Sequence, residues 1–359
     1  MARQFSREID TPALLVNLEL VERNIARMAA FAREAGVNLR PHCKTHKSPQ
    51  LAARQIAAGA IGITCQKLGE AEVMAEAGIG GLLVASQIVG PQKIRRLMEL
   101  ARRADVMVVA DDARNLADLA AAADSAGIRL KLLLEVDTGM GRCGVPPGEA
   151  TLQLARLVRE LPSLQFMGLM GYEGHAVLVL DPEERRQKAL ASLRLLVDTA
   201  ELLRQNDVPV QIVSSSGTGT FDLGGSFPGV TEIQPGSYAT MDGRYRQVGV
   251  PFECALTVLA TIISTPRPGV AVADVGLKSL TTEFGLPEVV GRAGLEVVRL
   301  SEEQALITVG QGERVQPGDT IELLPSHGCT TFNLHDHFYL LRGDEVEVVW
   351  PVAARGRSQ

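Results

Sequence analysis

The first candidate for chemistry is a lysine in a stretch rich in cations and imidazoles. Segment 40–47, RPHCKTHK, places Lys44 between His42 and His46. Nearby cations and desolvation lower the pKa of a lysine, which lets its amine attack a carbonyl carbon. A short strand pattern precedes the segment and a helical pattern follows it, which is where an α/β barrel presents a reactive group. We interpret Lys44 as a candidate Schiff-base lysine, although a solvated basic loop is the simpler explanation of this segment alone.

Two further strand ends carry cationic or planar side chains. The turn 137–144, DTGMGRCG, contains three glycines that let the backbone approach a ligand closely. Arg142 in this turn can offer a planar fork to an oxygen atom, and a flexible turn with a surface arginine explains the residues equally well. Tyr172 and His175 follow the next strand and can stack on a planar ring or form hydrogen bonds with it. A buried, hydrogen-bonded histidine is the commoner explanation for His175.

Two small-residue turns follow consecutive strands late in the chain. They are 214–220, SSSGTGT, and 232–238, EIQPGSY. Hydroxyl groups and backbone N–H groups in such turns bind anions, and barrels hold phosphate near their last strands. The Gly-Lys-Ser/Thr ending of a P-loop is missing. Either turn alone is an ordinary loop, but two in succession favour a phosphate site.

A potential metal site lies near the end of the chain. His327 and Cys329 have the spacing that places two side chains on one side of an extended segment. A thiolate and an imidazole favour Zn or a similar late first-row ion over Mg. A polar interface loop is the competing explanation. Whether His335, Asp336 or His337 joins the site is left open.

The elements that must position these residues alternate between strand and helix over 10–250. Such alternation predicts an α/β protein with a parallel sheet, and about eight units favour a closed (β/α)8 TIM-like barrel. The series begins with a strand at 13–17, and a rival open sheet lacks a Gly-x-Gly-x-x-Gly turn. After about 250, strands alternate with Pro/Gly turns. We predict a barrel over 9–248 and a C-terminal antiparallel β domain over 249–359 that includes the N-terminal arm 1–8.

Composition narrows the function classes. The 359 residues carry a formal net charge of -6, so no basic footprint for nucleic acid is present. Five scattered cysteines indicate reduced thiols rather than a disulfide framework. The N-terminus has no apolar signal region, and no stretch reaches the roughly 20 apolar residues that span a bilayer. We expect a cytoplasmic protein that has neither nucleic-acid nor membrane partners.

Taken together, these stretches resemble the fold-type III pyridoxal 5'-phosphate (PLP) enzymes, which join an alanine-racemase-like barrel to a β domain. Within that class the sequence is most similar to the D-threonine aldolase and D-serine dehydratase family. The resemblance covers nearly the whole chain. Its most specific segments are 40–46, 64–72, 137–144, 172–175, 234–238 and 327–331.

The resemblance implies a role for each candidate residue. Lys44 is expected to bind the cofactor covalently, with Arg142 near its phenolic oxygen and Tyr172 near its ring. Gln234 stands where racemases of this fold carry an arginine, which predicts an unprotonated pyridine nitrogen. The phosphate is expected to contact Ser216, Gly217, Thr218, Gly219, Gly236 and Ser237. The cofactor-binding set also includes His175, Gln234 and Tyr238, and the predicted metal ligands are His327 and Cys329.

The resemblance also implies a lyase that uses PLP and a divalent metal (Zn or Mn) on D-3-hydroxy amino acids. We predict an aldolase that cleaves Cα–Cβ to glycine and an aldehyde, with His46 as the base or a water-mediated helper. Segment 330–336 favours this reaction. Cys329 stands where aldolases can use a carboxylate, which favours the alternative, a D-serine or D-3-hydroxyaspartate dehydratase.

Two other functions rank lower. A racemase of this fold lacks the His-x-Cys pair and carries an arginine in place of Gln234. A non-catalytic PLP-binding barrel lacks a β domain, whereas this chain has a β-rich region after residue 250. The resemblance further implies a homodimer in which the β domain of one subunit faces the barrel of the other.

Overall fold

A computed structural model describes residues 9–359 of the chain. The predicted arm 1–8 lies outside the described residues. The described chain begins with strand β1 (Ala13–Asn17) and helix α1 (Leu18–Ala35).

Eight parallel strands form one sheet, as predicted. They are β2 (Asn38–Leu39), β3 (Ile63–Cys65), β4 (Leu82–Gln87), β5 (Val106–Ala110), β6 (Leu130–Glu135), β7 (Leu164–Met170), β8 (Ile212–Ser215) and β9 (Glu232–Ile233). The sheet order is β2-β9-β8-β7-β6-β5-β4-β3. A parallel bridge between His42 and Thr64 joins its two ends, which closes the sheet into a barrel. The intervening helices are α2 (Pro49–Ala57), α3 (Leu68–Glu76), α4 (Pro91–Ala101), α5 (Ala113–Ala126), α6 (Glu149–Arg159), α7 (Pro182–Gln205) and α8 (Phe221–Gly225).

The barrel strands are apolar on both faces because each face is covered. Leu83, Met107 and Leu133 belong to a small cluster of buried residues, while alternate residues such as Val84 and Val108 join a larger cluster with helix residues. A period of two thus divides each strand between two cores. These strands alternate with helices along the chain, which is the pattern from which the sequence predicts the barrel.

Helix α5 shows how local chemistry fixes an element's ends. The side chain of Asp112 accepts hydrogen bonds from the N–H groups of Arg114 and Asn115, and Gly127 ends the helix at φ 66°. An N-terminal Asp cap and a left-handed C-terminal glycine are strong boundary signals.

The second sheet contains β1 and the strands of the C-terminal region. After α9 (Gly243–Val248) come β10 (Leu256–Arg267), β11 (Val270–Ala273), β12 (Glu288–Val289), β13 (Leu295–Leu300), β14 (Ala305–Val309), β15 (Thr320–Leu324), α10 (Gly328–Phe332), β16 (His337–Arg342) and β17 (Glu345–Pro351). The main path runs β13-β14-β11-β10-β1-β16-β17, and β15 pairs with β10 and β12. All pairings except the parallel β1–β16 pair are antiparallel.

Strand β1 corrects one expectation. The sequence placed it first in the barrel series, but it pairs with β10 and β16. All five of its residues are buried, and a short, wholly apolar run carries no period that assigns it to one sheet. Contacts accordingly group 9–26, Thr45–Ser48 and Ser237–Gly356 into a β unit, where the sequence predicted a barrel over 9–248 and a β domain over 249–359 with the arm 1–8. The barrel unit comprises Arg27–Lys44, Pro49–Gly236 and Arg357–Gln359.

No helix within residues 9–359 combines the length and the apolar character that crossing a membrane requires.

Candidate active site

Three predicted residues converge in the barrel unit. The Nζ atom of Lys44 lies 5.7 Å from the centroid of the Tyr172 ring. The guanidinium carbon of Arg142 lies 5.7 Å from the same centroid. The three residues follow β2, β7 and β6, so the carboxyl ends of parallel strands bring them together. Two cations at an aromatic ring form a site suited to a planar, anionic ligand.

A polar network beside Arg142 was missed in the sequence. The Nε2 atom of Gln87 donates to Asp111 Oδ2 at 3.0 Å and to Glu135 Oε2 at 2.5 Å. Arg142 Nη2 lies 3.7 Å from Glu135 Oε1. Burial raises the pKa of Glu135, and hydrogen bonds from Gln87 and Arg142 oppose that shift. The network holds a carboxylate beside Arg142; its only sequence signal was a polar residue at the end of each apolar strand.

The same carboxylates also meet a thiol. Asp111, Glu135 and Cys143 each bring one potential metal-binding atom into a group in which all atoms lie within 4.8 Å of one another. Cys143 is exposed, and burial together with these two carboxylates raises the pKa of its thiol. Both carboxylates already accept hydrogen bonds from protein donors, Asp111 from the N–H group of Gly144 and Glu135 from Gln87.

His175 lies against the glycine-rich turn. A Cβ atom added to Gly139 would lie 3.4 Å from His175 Cε1, and the His175 ring is exposed. Asp137 Oδ1 accepts hydrogen bonds from the N–H groups of Gly139 and Gly141 at 3.0 Å each. The hydrogen bond from Gly141 is the main reason that the pKa of Asp137 is lowered. These bonds fix the fold of the turn that carries Arg142.

A buried chain of polar contacts ends at Gln234. Arg40 Nη2 lies 3.0 Å from Glu232 Oε2, with side chains only 8% and 1% exposed. Ser214 Oγ donates to Glu232 Oε1 at 2.8 Å, and Gln234 Nε2 donates to Ser214 Oγ at 2.7 Å. Arg40 is one of the cations that the sequence grouped around Lys44. Its charge is instead compensated by Glu232, and the chain fixes the orientation of the Gln234 amide.

The turn 214–220 has the features of a phosphate cradle. Ser216 has φ 67°, and its buried Oγ atom has no hydrogen-bond partner. A Cβ atom on Gly217 would lie 3.2 Å from the Tyr172 ring, and one on Gly219 would overlap the carbonyl oxygen of Val177. The glycines therefore allow a close backbone approach that no other residue permits. A narrow turn with an unsatisfied hydroxyl group fits a phosphate ligand.

The predicted metal pair lies in the β unit. Cys329 Sγ is 3.2 Å from Thr45 Oγ1 and 3.7 Å from Ser237 Oγ. Burial acts to lower the pKa of His327, but hydrogen bonds to Asp242 and Cys329 raise it to about 10. In residues 9–359, no further His, Cys, Asp or Glu completes a three-ligand group with this pair. Imidazole and thiol side chains in mutual contact still fit two of the ligands of a divalent ion.

Asp242 is the residue that orients His327, and no sequence motif identified it. Its Oδ2 atom lies 3.1 Å from His327 Nδ1 and accepts a hydrogen bond from the N–H group of Gly328 at 2.9 Å. Its Oδ1 atom accepts from the N–H group of Tyr245, which caps α9. With Nδ1 held in this way, Nε2 is the ring atom that remains for a metal ion.

The sequence did not decide whether three residues near the metal pair bind the metal, and each of them contacts another part of the protein. His335 Nε2 lies 2.6 Å from the carbonyl oxygen of Ser279. Arg355 Nη1 donates to Asp336 Oδ1 at 2.6 Å. The His337 ring packs edge-on against Tyr339, with centroids 5.4 Å apart. Each of the three therefore has a structural role.

The remaining predicted residues are buried. His46 is completely inaccessible, and its Nδ1 atom accepts the N–H group of Ser48 at 3.1 Å. Tyr238 is also inaccessible and packs against Phe252, with ring centroids 5.5 Å apart. Because Nδ1 of His46 accepts, the proton of the neutral ring lies on Nε2.

Comparison with known proteins defines the class. Residues 16–243 match the family model of the alanine racemase N-terminal domain, and residues 255–341 match that of the putative serine dehydratase domain. The barrel and the second sheet are thus those of a fold-type III PLP enzyme.

Individual relatives narrow the assignment from this class to one family. A D-threonine aldolase from Arthrobacter sp. is 39% identical over 98% of this chain and 94% of its own length. The crystal structure of D-threonine aldolase from Filomicrobium marinum has a TM-score of 0.95 at 39% identity, covering 98% of this chain and 97% of that one. A D-threo-3-hydroxyaspartate dehydratase, solved as a cysteine-to-alanine mutant in the metal-free form, has a TM-score of 0.89 at 29% identity, covering 96% and 97%. The chain belongs to the D-threonine aldolase and D-serine dehydratase family of PLP-dependent lyases, which confirms the resemblance found in its sequence.

Proposed function

We propose that this protein is an aldolase that cleaves the Cα–Cβ bond of D-3-hydroxy amino acids to glycine and an aldehyde, using PLP and a divalent metal. The observation that carries the proposal is the convergence of Lys44 and Arg142 on the Tyr172 ring, each at 5.7 Å. The choice of reaction is supported by 39% identity over nearly the whole length of a D-threonine aldolase.

Most of the residues proposed to hold PLP belong to the barrel unit. Lys44 binds its aldehyde carbon, Arg142 faces its phenolic oxygen and Tyr172 packs against its ring. The orphan hydroxyl of Ser216 donates to its phosphate, and the sequence adds Gly217, Thr218, Gly219, Gly236 and Ser237 to this contact set. When bound, PLP supplies an electron sink for the pair released at Cα.

Gln234 is proposed to lie at the pyridine nitrogen. Its Nε2 atom is already a donor to Ser214 in a chain that starts at the Arg40–Glu232 pair. The second N–H bond of the same amide can donate to an unprotonated ring nitrogen, whereas a protonated nitrogen has no lone pair to accept it. This orientation supports the prediction of a neutral pyridine ring.

His327 and Cys329 are proposed to hold the metal, with Asp242 fixing the imidazole. A bound divalent ion supplies Lewis-acid chemistry to a hydroxyl-bearing substrate. The metal-free form of the related dehydratase was described for a cysteine mutant, which supports a thiolate ligand. Metal binding must displace the proton that His327 holds, because the pKa of its ring is about 10. Zn or Mn as the native ion stays a prediction, as does the homodimer.

His46 is proposed as the water-mediated helper rather than the direct base. Its Nδ1 atom accepts from Ser48, so Nε2 donates and cannot take a proton in the neutral ring. In this role His46 orients a water molecule beside the substrate hydroxyl group.

A dehydratase is the second candidate, because a solved D-threo-3-hydroxyaspartate dehydratase shares the fold over 96% of this chain. Incubation of the PLP- and Zn-loaded protein with D-threonine separates the two reactions. We expect glycine and acetaldehyde in equal amounts, and no turnover of L-threonine. Formation of 2-oxobutanoate and ammonia would show that the protein is a dehydratase. No turnover of any D-3-hydroxy amino acid would remove both candidates.

A further inference from the structure

Glu173 is a buried carboxylate that the proposed chemistry does not use. It follows Tyr172 at the end of β7, and its solvent exposure is 0%. Its Oε2 atom accepts from Ser215 Oγ at 2.9 Å and from the N–H group of Ser216 at 3.3 Å. Its Oε1 atom accepts from Thr220 Oγ1 at 2.5 Å. One carboxylate therefore ties together both ends of the turn 215–220.

These bonds divide the turn's polar groups into two sets. The hydroxyl groups of Ser215 and Thr220 and the N–H group of Ser216 are directed at Glu173. The hydroxyl group of Ser216 is buried and has no partner, so it remains for a ligand. Ser216 also has a left-handed backbone, φ 67°, which a residue with a side chain adopts only when its surroundings hold it. The bond from its N–H group to Glu173 is part of what holds it.

Charge is not the reason for a glutamate at this position. A carboxylate repels a phosphate dianion, and burial in a low dielectric strengthens that repulsion. The three donors compensate the carboxylate, as a buried charge requires. What the carboxylate provides is geometry, because its two oxygens accept from several donors at once, whereas a glutamine side chain has a single acceptor oxygen.

We propose that Glu173 is a positioning residue that gives turn 215–220 the shape in which it binds a phosphate group. This inference rests on the proposed function, because it takes the phosphate to be that of PLP. In this role Glu173 acts through its bonds to Ser215, Ser216 and Thr220 and not by contact with the cofactor. It holds the turn so that the Ser216 hydroxyl group and the glycine backbone meet the phosphate.

The test compares two ligands that differ only in the phosphate. Cofactor-free protein is titrated with PLP and with pyridoxal, and the change in protein fluorescence or in ligand absorbance gives a Kd for each. Both ligands carry the aldehyde that Lys44 attacks, and the internal hemiacetal that free pyridoxal forms is the same in every titration. The change in the ratio of the two Kd values between variants therefore isolates the effect on phosphate binding. For Glu173→Ala we expect the PLP affinity to fall on the order of 10-fold to 100-fold, since buried donors lose their acceptor, with pyridoxal affinity within about twofold of the wild type.

A matched control is Glu70→Ala. Glu70 is also a buried glutamate of the barrel unit, 1% exposed, and accepts from the N–H groups of Gln66 and Lys67. We expect this variant to be less stable than the wild type and to have the wild-type ratio of the Kd values for pyridoxal and PLP. If Glu173→Ala does not fold, the double variant Ser215→Ala/Thr220→Val removes two of the three donors and should show the same selective loss.

The outcomes separate the inference from the proposed function. A wild-type protein that does not prefer PLP over pyridoxal would contradict the proposed function. Two results would overturn the positioning role alone. One is a Glu173→Ala variant that prefers PLP as strongly as the wild type does, and the other is a variant that loses affinity equally for PLP and pyridoxal.

Discussion

Replacing Asp242 with asparagine should weaken metal binding while leaving the β unit folded. The side chain is 1% exposed, and its Oδ2 atom contacts both His327 Nδ1 and the N–H group of Gly328. Asparagine has the same size and can still cap α9 through the N–H group of Tyr245. It lacks the negative charge and one acceptor oxygen. The substitution therefore removes the group that orients His327 and raises the basicity of its ring.

The size of the effect follows from these contacts. Loss of a carboxylate that orients a histidine ligand lowers metal affinity by about 10-fold to 100-fold, or about 1.4 to 2.7 kcal/mol. Asp242→Ala should lose as much metal affinity and also about 1 kcal/mol of unfolding free energy, because the helix cap is removed. The pair of variants thus separates the effect on the metal from the effect on the fold.

The assay is competition for Zn²⁺ between the protein and a chromophoric chelator at fixed pH and salt. Asp112→Asn is the matched control, because Asp112 also caps a helix through two backbone N–H groups, those of Arg114 and Asn115. We expect its Zn²⁺ affinity to equal that of the wild type. A Zn²⁺ affinity for Asp242→Asn within about twofold of the wild type would refute the orienting role.

Three further results are expected. Glu232→Gln should lower the unfolding free energy by about 3–5 kcal/mol in urea titrations, because it leaves the Arg40 charge buried and unpaired. The control variant Asp105→Asn breaks an exposed ion pair with Lys131 and should lower the unfolding free energy by less than about 1 kcal/mol. Burial lowers the pKa of His335 below 6.5, so below that pH the unfolded chain binds a proton that the folded chain does not. The unfolding free energy in the presence of chelator should therefore fall as the pH is lowered from about 7.5 to about 5.5, and it should fall less for the His335→Gln variant. An equal fall for the variant and the wild type would contradict a contribution of His335 to the pH dependence. Excess EDTA should abolish cleavage of D-threonine and Zn²⁺ or Mn²⁺ should restore it; full activity in EDTA with no bound metal would exclude a metal-dependent reaction.

The barrel and its strand-end residues could be predicted because each depends on local patterns. Continuous apolar runs such as 106–110 identify buried parallel strands, and the carboxyl ends of such strands meet on one side of the barrel. The resemblance to the fold-type III PLP enzymes implied that Lys44, Arg142 and Tyr172 approach one another, and their distances from one ring agree with it. The caps of α5 are equally local, since Asp112 and Gly127 act within one turn of the helix.

The features that were missed depend on contacts between distant parts of the chain. Asp242 contacts His327 across 85 positions, and Glu173 contacts Ser215 across 42. Asp242 lies in none of the segments singled out in the sequence, and segment 172–175, which contains Glu173, does not reveal the partner of this carboxylate. The assignment of β1 to the barrel was wrong for a related reason. Its five buried residues are compatible with either sheet, and its pairing with β10, which is distant in sequence, decides between the two.

The most direct test of the proposed function is to locate the covalent attachment of the cofactor. The protein is purified with added PLP, reduced with borohydride, digested and analysed by mass spectrometry. We expect a phosphopyridoxyl group on the peptide that contains Lys44, and a Lys44→Ala variant that is colourless and unlabelled. A label on another lysine, or an unlabelled wild-type protein, would contradict the assignment of Lys44 as the reactive amine.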